Sequence, residues 1–210
     1  KVRLLKETAK NGVHLDVGSG TGEFLYACKK AGFNAYGIEP SKIAREQAIK
    51  NYNLKISSDP ELNQYKSEKF DSITMWHVLE HIPELKQTIS EAKRILKKDG
   101  KIIIAVPNYN SWDAKYYKEY WAAWDVPIHL WHFSKTTIEK LFNAHGFVLI
   151  KTKPMVFDAF YVSILSEEFI TGKKNFIKGL FIGLISNIYA LFRKTKYSSI
   201  TYVFEKKNNF

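Results

Sequence analysis

An α/β fold with a doubly wound, mostly parallel sheet is what the sequence predicts, and three observations predict it. Strand-like runs alternate with helix-like segments through the first two-thirds of the chain. That alternation implies parallel strands with helices on both faces. Right-handed crossovers between such strands make the sheet doubly wound. The first strand-like run, VHLDV, passes directly into a turn holding Gly18, Gly20 and Gly22. Ligands on sheets of this kind sit at the carboxyl ends of the strands, where that turn falls.

The elements follow in order. VHLDV (13–17) reads as a buried strand, and EFLYACKKAG as a helix stopped by Gly32. NAYGIE is the second strand. SKIAREQAIKNY is the next helix, with Ser41 as N-cap and Glu46 in its early turns. A short third strand is expected near LKIS, then a strand at FDSITMW (70–76), a helix at PELKQTISEAKRILKKDG ending at Gly100, and a strand at KIIIAVP. From Tyr109 to Trp131 the pattern breaks, and four of the five tryptophans crowd into it. This stretch (109–133) reads either as an aromatic packing cap or as an aromatic wall over an active site. SKTTIEKLFNAHGF is a helix capped by Ser134 or Thr136 and stopped by Gly146, followed by strands at FVLIKTK and ITYVFEKK. The connection between those strands is too long for a plain loop, so Pro154 to Lys196 is expected to be a helical insertion.

At 210 residues the chain suits one domain, and 45% hydrophobic with 25% charged residues excludes a disordered or fibrous chain. A net charge of +11 attracts anions, which opens nucleic acid and anionic membrane as partners. The arginines are only Arg3, Arg45, Arg94 and Arg193, however. Arginine is the favoured reader of phosphates and base edges, so nucleic acid is disfavoured. A single cysteine, Cys28, excludes an internal disulfide and a cysteine zinc site. It fits a reducing, cytoplasmic compartment. KVRLLKETAK lacks the apolar segment of a signal peptide, and without an initiator Met the chain is expected to continue upstream. FIKGLFIGLISNIYALF (176–192) falls short of the roughly 20 apolar residues of a spanning helix. It is expected to lie on a membrane as a peripheral contact or to pack on the domain.

A glycine-rich turn admits a ligand close to backbone, and the helix after it offers unpaired N–H groups. The G-x-G-x-G spacing differs from the G-x-G-x-x-G of dinucleotide sites. Asp16 stands two places before the first glycine, and Glu39 closes the second strand, where it can accept both hydroxyls of a ribose. Glu39 alone does not separate mononucleotide from dinucleotide.

Taken together, LDVGSGTGEF, YGIEPS, KFDSITMWHVLEHI and LKKDGKIIIAVPN resemble class I S-adenosylmethionine-dependent methyltransferases, in particular the small-molecule group that includes ubiquinone-biosynthesis O-methyltransferases. WDVPIHLWHFSKTTIEKLFNAHGF is similar to the same group after the fifth strand, so the resemblance runs from about Val13 to Lys153. It implies an enzyme with a Rossmann-like, seven-stranded sheet whose last strand is antiparallel. It implies S-adenosylmethionine as cofactor and S-adenosylhomocysteine as product. By position, Asp16, Gly18, Ser19, Gly20 and Gly22 hold the methionine part, and Glu39 with Pro40 the ribose. Trp76, His77 and Val78 line the sulfonium end, and LEHI (79–82) starts the next helix. Many relatives carry Cys where this chain has Ser19. The acid for the adenine amino group has no clear match, with Asp59 preferred over Glu61. The helices that often cover the pocket upstream are absent.

Methyl transfer by in-line displacement needs an aligned acceptor and exclusion of water, and a hydroxyl acceptor also needs a base. Histidine suits that role. His77, His129 and His132 fall on the acceptor side, with His129 the first choice. No metal is expected, because no ligand-spaced motif is present. Adenine methylation is disfavoured, because the fourth strand is followed by Trp76-His77-Val78-Leu79 and not by an Asn- or Asp-Pro-Pro-aromatic motif. Lys173, Lys174, Lys178, Arg193, Lys194 and Lys196 flank the apolar insertion, a combination suited to an anionic membrane and hence to a lipid-linked acceptor. An RNA methyltransferase and a non-catalytic cofactor-binding subunit are the alternatives.

Overall fold

The computed structural model describes residues 1–207. Side chains along VHLDV alternate, as a strand requires. Leu15 and Val17 enter one core, while His14 turns to the opposite face against the rings of Phe24 and Phe33. From this strand, β1 (Val13–Val17), the sheet grows both ways. β2 (Asn34–Ile38) and β3 (Lys55–Ser57) step out on one side, and β4 (Phe70–Trp76) and β5 (Leu96–Pro107) on the other. β7 (Ser199–Lys206) pairs antiparallel with β5 and with β6 (Phe147–Pro154), giving the order β3-β2-β1-β4-β5-β7-β6. The seven-stranded, mostly parallel sheet with an antiparallel last strand is therefore present.

α1 (Val2–Thr8), α2 (Glu23–Lys30) and α3 (Lys42–Tyr52) cover one face, where Leu4, Leu5, Leu25 and Ala48 pack with Ile103 and Val203. α4 (Leu85–Ile95) covers the other through Ile89 and Ile95. α5 (Trp112–Tyr117) opens the aromatic stretch, and α6 (Lys135–Ala144) joins α4 through Ile138 and Phe142. Ser134 caps α6 in a reciprocal box with Thr137. α7 (Asp158–Thr171) and α8 (Phe176–Phe192) form a hairpin between β6 and β7. A Cβ on Gly179 or Gly183 would come within 2.7 Å of Ile164 Cα or 2.8 Å of Phe160 Cα. The two glycines therefore let α8 lie directly on the α7 backbone.

Two boundaries differ from the sequence reading. α4 ends at Ile95 and not at Gly100, because Leu96 is fully buried and pairs with Phe70 as the first residue of β5. The register then jumps, since Ser72 pairs with Lys101, and Lys97 to Gly100 bulge out. Lys97 Nζ holds this bulge by donating to Asp71 at 2.8 Å. LEHI forms a 3-10 turn, Leu79–His81, and α4 starts only at Leu85. Pro83 lacks an N–H and pushes Ile82 into extended backbone, which stops the turn from running on as a helix.

Candidate active site

β1 and β4 are neighbours in the sheet but leave it in opposite directions, so a crevice opens at their carboxyl ends. The glycine loop stands over it. Gly18, Gly20 and Gly22 have φ of 72°, 54° and 89°, in the left-handed region that side chains disfavour. Gly18 N and Ser19 N both donate to Ile38 O, which ties the loop to β2. Gly20 N donates to Glu39 Oε2 and Ser41 N to Glu39 Oε1, each at 2.8 Å. Glu39 thus fastens the loop to the start of α3 and keeps further lone pairs for a ligand. A cavity of about 560 Å³ lies below, walled by Gly18, Glu39, Pro40, Glu61, Val78 and Ile82 among others.

Asp16 points to the other side of β1 and is fully buried. Thr74 Oγ1 donates to Asp16 Oδ1 at 2.6 Å, so this hydroxyl oxygen accepts from His14 Nε2 at 3.3 Å. His14 Nδ1 then accepts from Ser72 Oγ at 2.9 Å. Ser72, His14, Thr74 and Asp16 form one directed chain of donors, which nothing in the local sequence pattern signals. Burial pushes the Asp16 carboxyl up to about 7, against the pull of the Thr74 hydrogen bond. Burial also drives His14 down to about 3, which keeps its ring neutral. Ser19 Oγ and Trp76 Nε1 are buried without partners, beside the loop and at the end of β4. A bound polar ligand would satisfy such atoms.

The residues expected at the cofactor do not all meet in one cavity. Gly18, Glu39, Pro40 and Val78 do. Of the two acids expected for the adenine amino group, Glu61 lines this cavity and Asp59 does not. Asp59 Oδ1 accepts from Glu61 N at 2.9 Å and closes a turn, while Glu61 walls the cavity. Trp76 packs edge-on against Phe24 with ring centroids 5.4 Å apart.

His77 faces a second cavity, of about 330 Å³, together with Glu80, Asp125, His129, Asp158 and Tyr161. Its backbone is left-handed, with φ of 56°. Nδ1 lies 3.3 Å from Glu80 Oε1, and Nε2 lies 3.0 Å from Asp158 Oδ2. Burial opposes the charged ring, but the hydrogen bonds and charges of the two carboxylates outweigh it and push His77 up to about 9. An imidazolium holding a proton on each nitrogen is a poor base, which weighs against the catalytic role expected for His77. His129 Nδ1 donates to Ala123 O at 2.9 Å, which leaves Nε2 open, 3.8 Å from Asp125 Oδ2. His132 Nε2 donates to Trp124 O at 2.8 Å, and His132 lines only a narrow crevice beside the cap. Glu80, His81 and His129 each present one potential ligand atom, all within 4.8 Å of one another. No sequence motif flags that trio, because His129 reaches it from a distant segment.

The tryptophans do not wall either large cavity. Trp121 is buried and donates to Asp113 Oδ2 at 2.8 Å, and Trp131 Nε1 donates to Ile82 O at 2.8 Å. Asp113, also buried, accepts from Ser186 and Ser198 as well. The tryptophans thus pack within the cap, while the stretch gives Ala122, Ala123, Asp125 and His129 to the second cavity, whose apolar wall also comes from α7 through Val162, Leu165 and Phe169.

A seven-stranded sheet with this order, a G-x-G-x-G loop at the switch point and an acid closing β2 define a class I S-adenosylmethionine-dependent methyltransferase domain. A methyltransferase-domain family matches residues 1–152, and the chain belongs to it. S-adenosylmethionine is the cofactor of this domain, and the spare lone pairs of the Glu39 oxygens with the Gly18 backbone at the cavity fit it. The chain is 35% identical over 117 residues to a ubiquinone biosynthesis O-methyltransferase of Haemophilus ducreyi, covering 49% of this chain and 50% of that protein. It is 36% identical over 120 residues to an uncharacterized protein of Methanocaldococcus jannaschii, covering 57% and 56%. The chain therefore spans about half the length of these curated relatives. A methyltransferase structure from Archaeoglobus fulgidus shares the fold at a TM-score of 0.66 and 18% identity, covering 98% of this chain and 90% of that one. Phosphoethanolamine N-methyltransferase 2 of Haemonchus contortus, solved with S-adenosyl-L-methionine, does so at 0.64 and 17%, covering 99% and 52%.

Proposed function

We propose that the chain methylates a hydroxyl oxygen of a small-molecule or lipid-linked acceptor, with His129 as general base. One observation carries this reading: the consecutive residues His77 and Val78 wall different cavities, so a single turn of chain parts the cofactor side from the acceptor side. When bound, S-adenosylmethionine supplies a methyl group whose bond to sulfur breaks as the bond to the acceptor oxygen forms, leaving S-adenosylhomocysteine. Fixing an acceptor in line contributes about 7–11 kcal/mol in the best cases. The open Nε2 of His129 receives the hydroxyl proton, and its bond to Ala123 O fixes the ring for that task. His132 spends its Nε2 on Trp124 O and serves the cap. An RNA acceptor is disfavoured, because carboxylates and no lysine or arginine line the second cavity.

We place the chain in the cytoplasm, resting on anionic membrane through the α7–α8 hairpin. No helix among the described residues is long and apolar enough to cross a membrane. Yet Ile177, Leu180, Phe181, Leu184, Leu191 and Phe192 of this hairpin are exposed, with Lys173, Arg193 and Lys194 at its ends. That pairing of apolar stripe and basic flank suits an interfacial helix.

A transfer assay with radiolabelled S-adenosylmethionine over phenols and lipid-linked alcohols tests the reading. His129→Ala should bind S-adenosylhomocysteine normally and lose about 10²–10⁴-fold in turnover. Unchanged turnover on an accepted hydroxyl would overturn the base assignment.

A further inference from the structure

We infer that the acceptor carries a protonated amine, held in the second cavity by Glu80, Asp125 and Asp158. This rests on the reading of that cavity as the acceptor site, and it names the class of molecule that enters.

The chain has a net charge of +11, yet none of its lysines or arginines lines the cavity. Three carboxylates do, and one imidazolium, His77, answers them. His77 spends one ring nitrogen on Glu80 Oε1 and the other on Asp158 Oδ2, so it has no donor left. Glu80 Oε2 stays buried with no hydrogen-bond partner, in a side chain only 1% exposed. A buried carboxylate oxygen without a donor is costly, and a ligand N–H in the cavity removes that cost. Asp125 adds a third negative group at the mouth, with 43% of its side chain exposed. The remaining wall is aromatic and apolar, from Tyr161, Phe169, Val162 and Leu165. Aromatic faces attract cations, whereas an acidic acceptor would meet like charge on three sides. The orphaned oxygen calls for a hydrogen-bond donor, which a protonated primary, secondary or tertiary amine supplies and a quaternary ammonium does not. The acceptor is therefore an amine that also bears the hydroxyl offered to His129.

The test uses the full chain saturated with S-adenosylhomocysteine, titrated calorimetrically with tyramine, 4-ethylphenol and 4-hydroxyphenylacetate. These share one phenol and differ in charge. Tyramine should bind at least tenfold more tightly than the neutral phenol, and the acid should bind most weakly. Asp125→Asn, which leaves the His77 clamp intact, should reduce the tyramine preference severalfold, and Glu80→Gln should reduce it further. Raising the salt should narrow it. Equal or tighter binding of the neutral or acidic phenol, a preference untouched by both variants, or no binding of tyramine would overturn the inference. In a parallel transfer assay with radiolabelled S-adenosylmethionine, tyramine bound with the expected preference but never methylated would instead overturn the oxygen-transfer reading and leave the amine assignment standing. Methylation of 4-ethylphenol without a tyramine preference would do the reverse.

Discussion

Gly18 and Gly20 differ by two positions in one loop, and replacing each with alanine separates backbone strain from steric exclusion. Both have left-handed backbone, at φ of 72° and 54°, where an L-residue costs about 1–2 kcal/mol. A Cβ on Gly20 meets nothing within 4 Å, so Gly20→Ala should cost only that strain. A Cβ on Gly18 would sit 2.4 Å from Val78 Cγ2. Valine is stiff at χ1 and cannot swing aside cheaply, so this overpacking adds about 1–3 kcal/mol. Gly18→Ala should therefore cost about 2–5 kcal/mol in all. Thermal unfolding reads the gap between the two variants, at roughly 2–4 °C in Tm per kcal/mol for a chain of this size. Because Val78 also walls the cofactor cavity, Gly18→Ala should weaken S-adenosylhomocysteine binding at least tenfold in calorimetry, and Gly20→Ala far less. Equal Tm losses and equal affinities for the two variants would refute the placement of Val78 against the loop.

The His77 clamp gives a pH signature. Its pKa is raised in the folded chain, so folding holds one extra proton between about 6.5 and about 9, and the associated stability is present below that window and lost as pH rises through it. Tm measured across this range should fall for the native chain and stay flatter for His77→Gln; a native Tm that rises or stays level would contradict the clamp. Asp113→Ala strands the buried Trp121 N–H, which cannot rotate away, and frees Ser186 and Ser198. A loss of about 3 kcal/mol, or roughly 6–12 °C in Tm, is expected, and a loss under about 2 °C would mean that the carboxylate is not the tie between the cap and α8. Vesicle flotation should recover the chain with phosphatidylglycerol-containing liposomes and much less with neutral ones, and Phe181→Asp with Phe192→Asp should abolish recovery; equal recovery on both liposomes would argue against the hairpin as an anionic-membrane contact.

Much of the frame was legible because strands and glycine stops are local signals. The VHLDV and FDSITMW runs, the Ser41 and Ser134 caps and the Gly32 and Gly146 stops each need only their near neighbours. The start of β5 was not legible, since LKKDG reads as a fraying helix until Phe70 captures Leu96 as a partner. α1 escaped notice because only Leu4 and Leu5 of VRLLKET are buried. On the cofactor side the order of motifs brings Gly18, Glu39, Pro40 and Val78 to one cavity, whereas spacing alone does not separate Asp59 from Glu61. The acceptor side resisted for a different reason. His77 reads as a base by pattern, and only the structure brings Asp158, far along the chain, onto its Nε2. Pattern names which residues can react, and only tertiary contact fixes their protonation.

Tyr161 and Phe169 belong at once to the wall of the second cavity and to the exposed apolar face of the hairpin, being 66% and 57% exposed. On the proposed membrane contact, the mouth of the proposed acceptor cavity and the landing surface are the same piece of protein. An acceptor arriving from water competes with whatever the hairpin rests on, whereas one already dissolved in that surface enters sideways without a release step. Under that proposal the order of events in a catalytic cycle depends on where the acceptor resides, and a docked enzyme would favour acceptors delivered laterally.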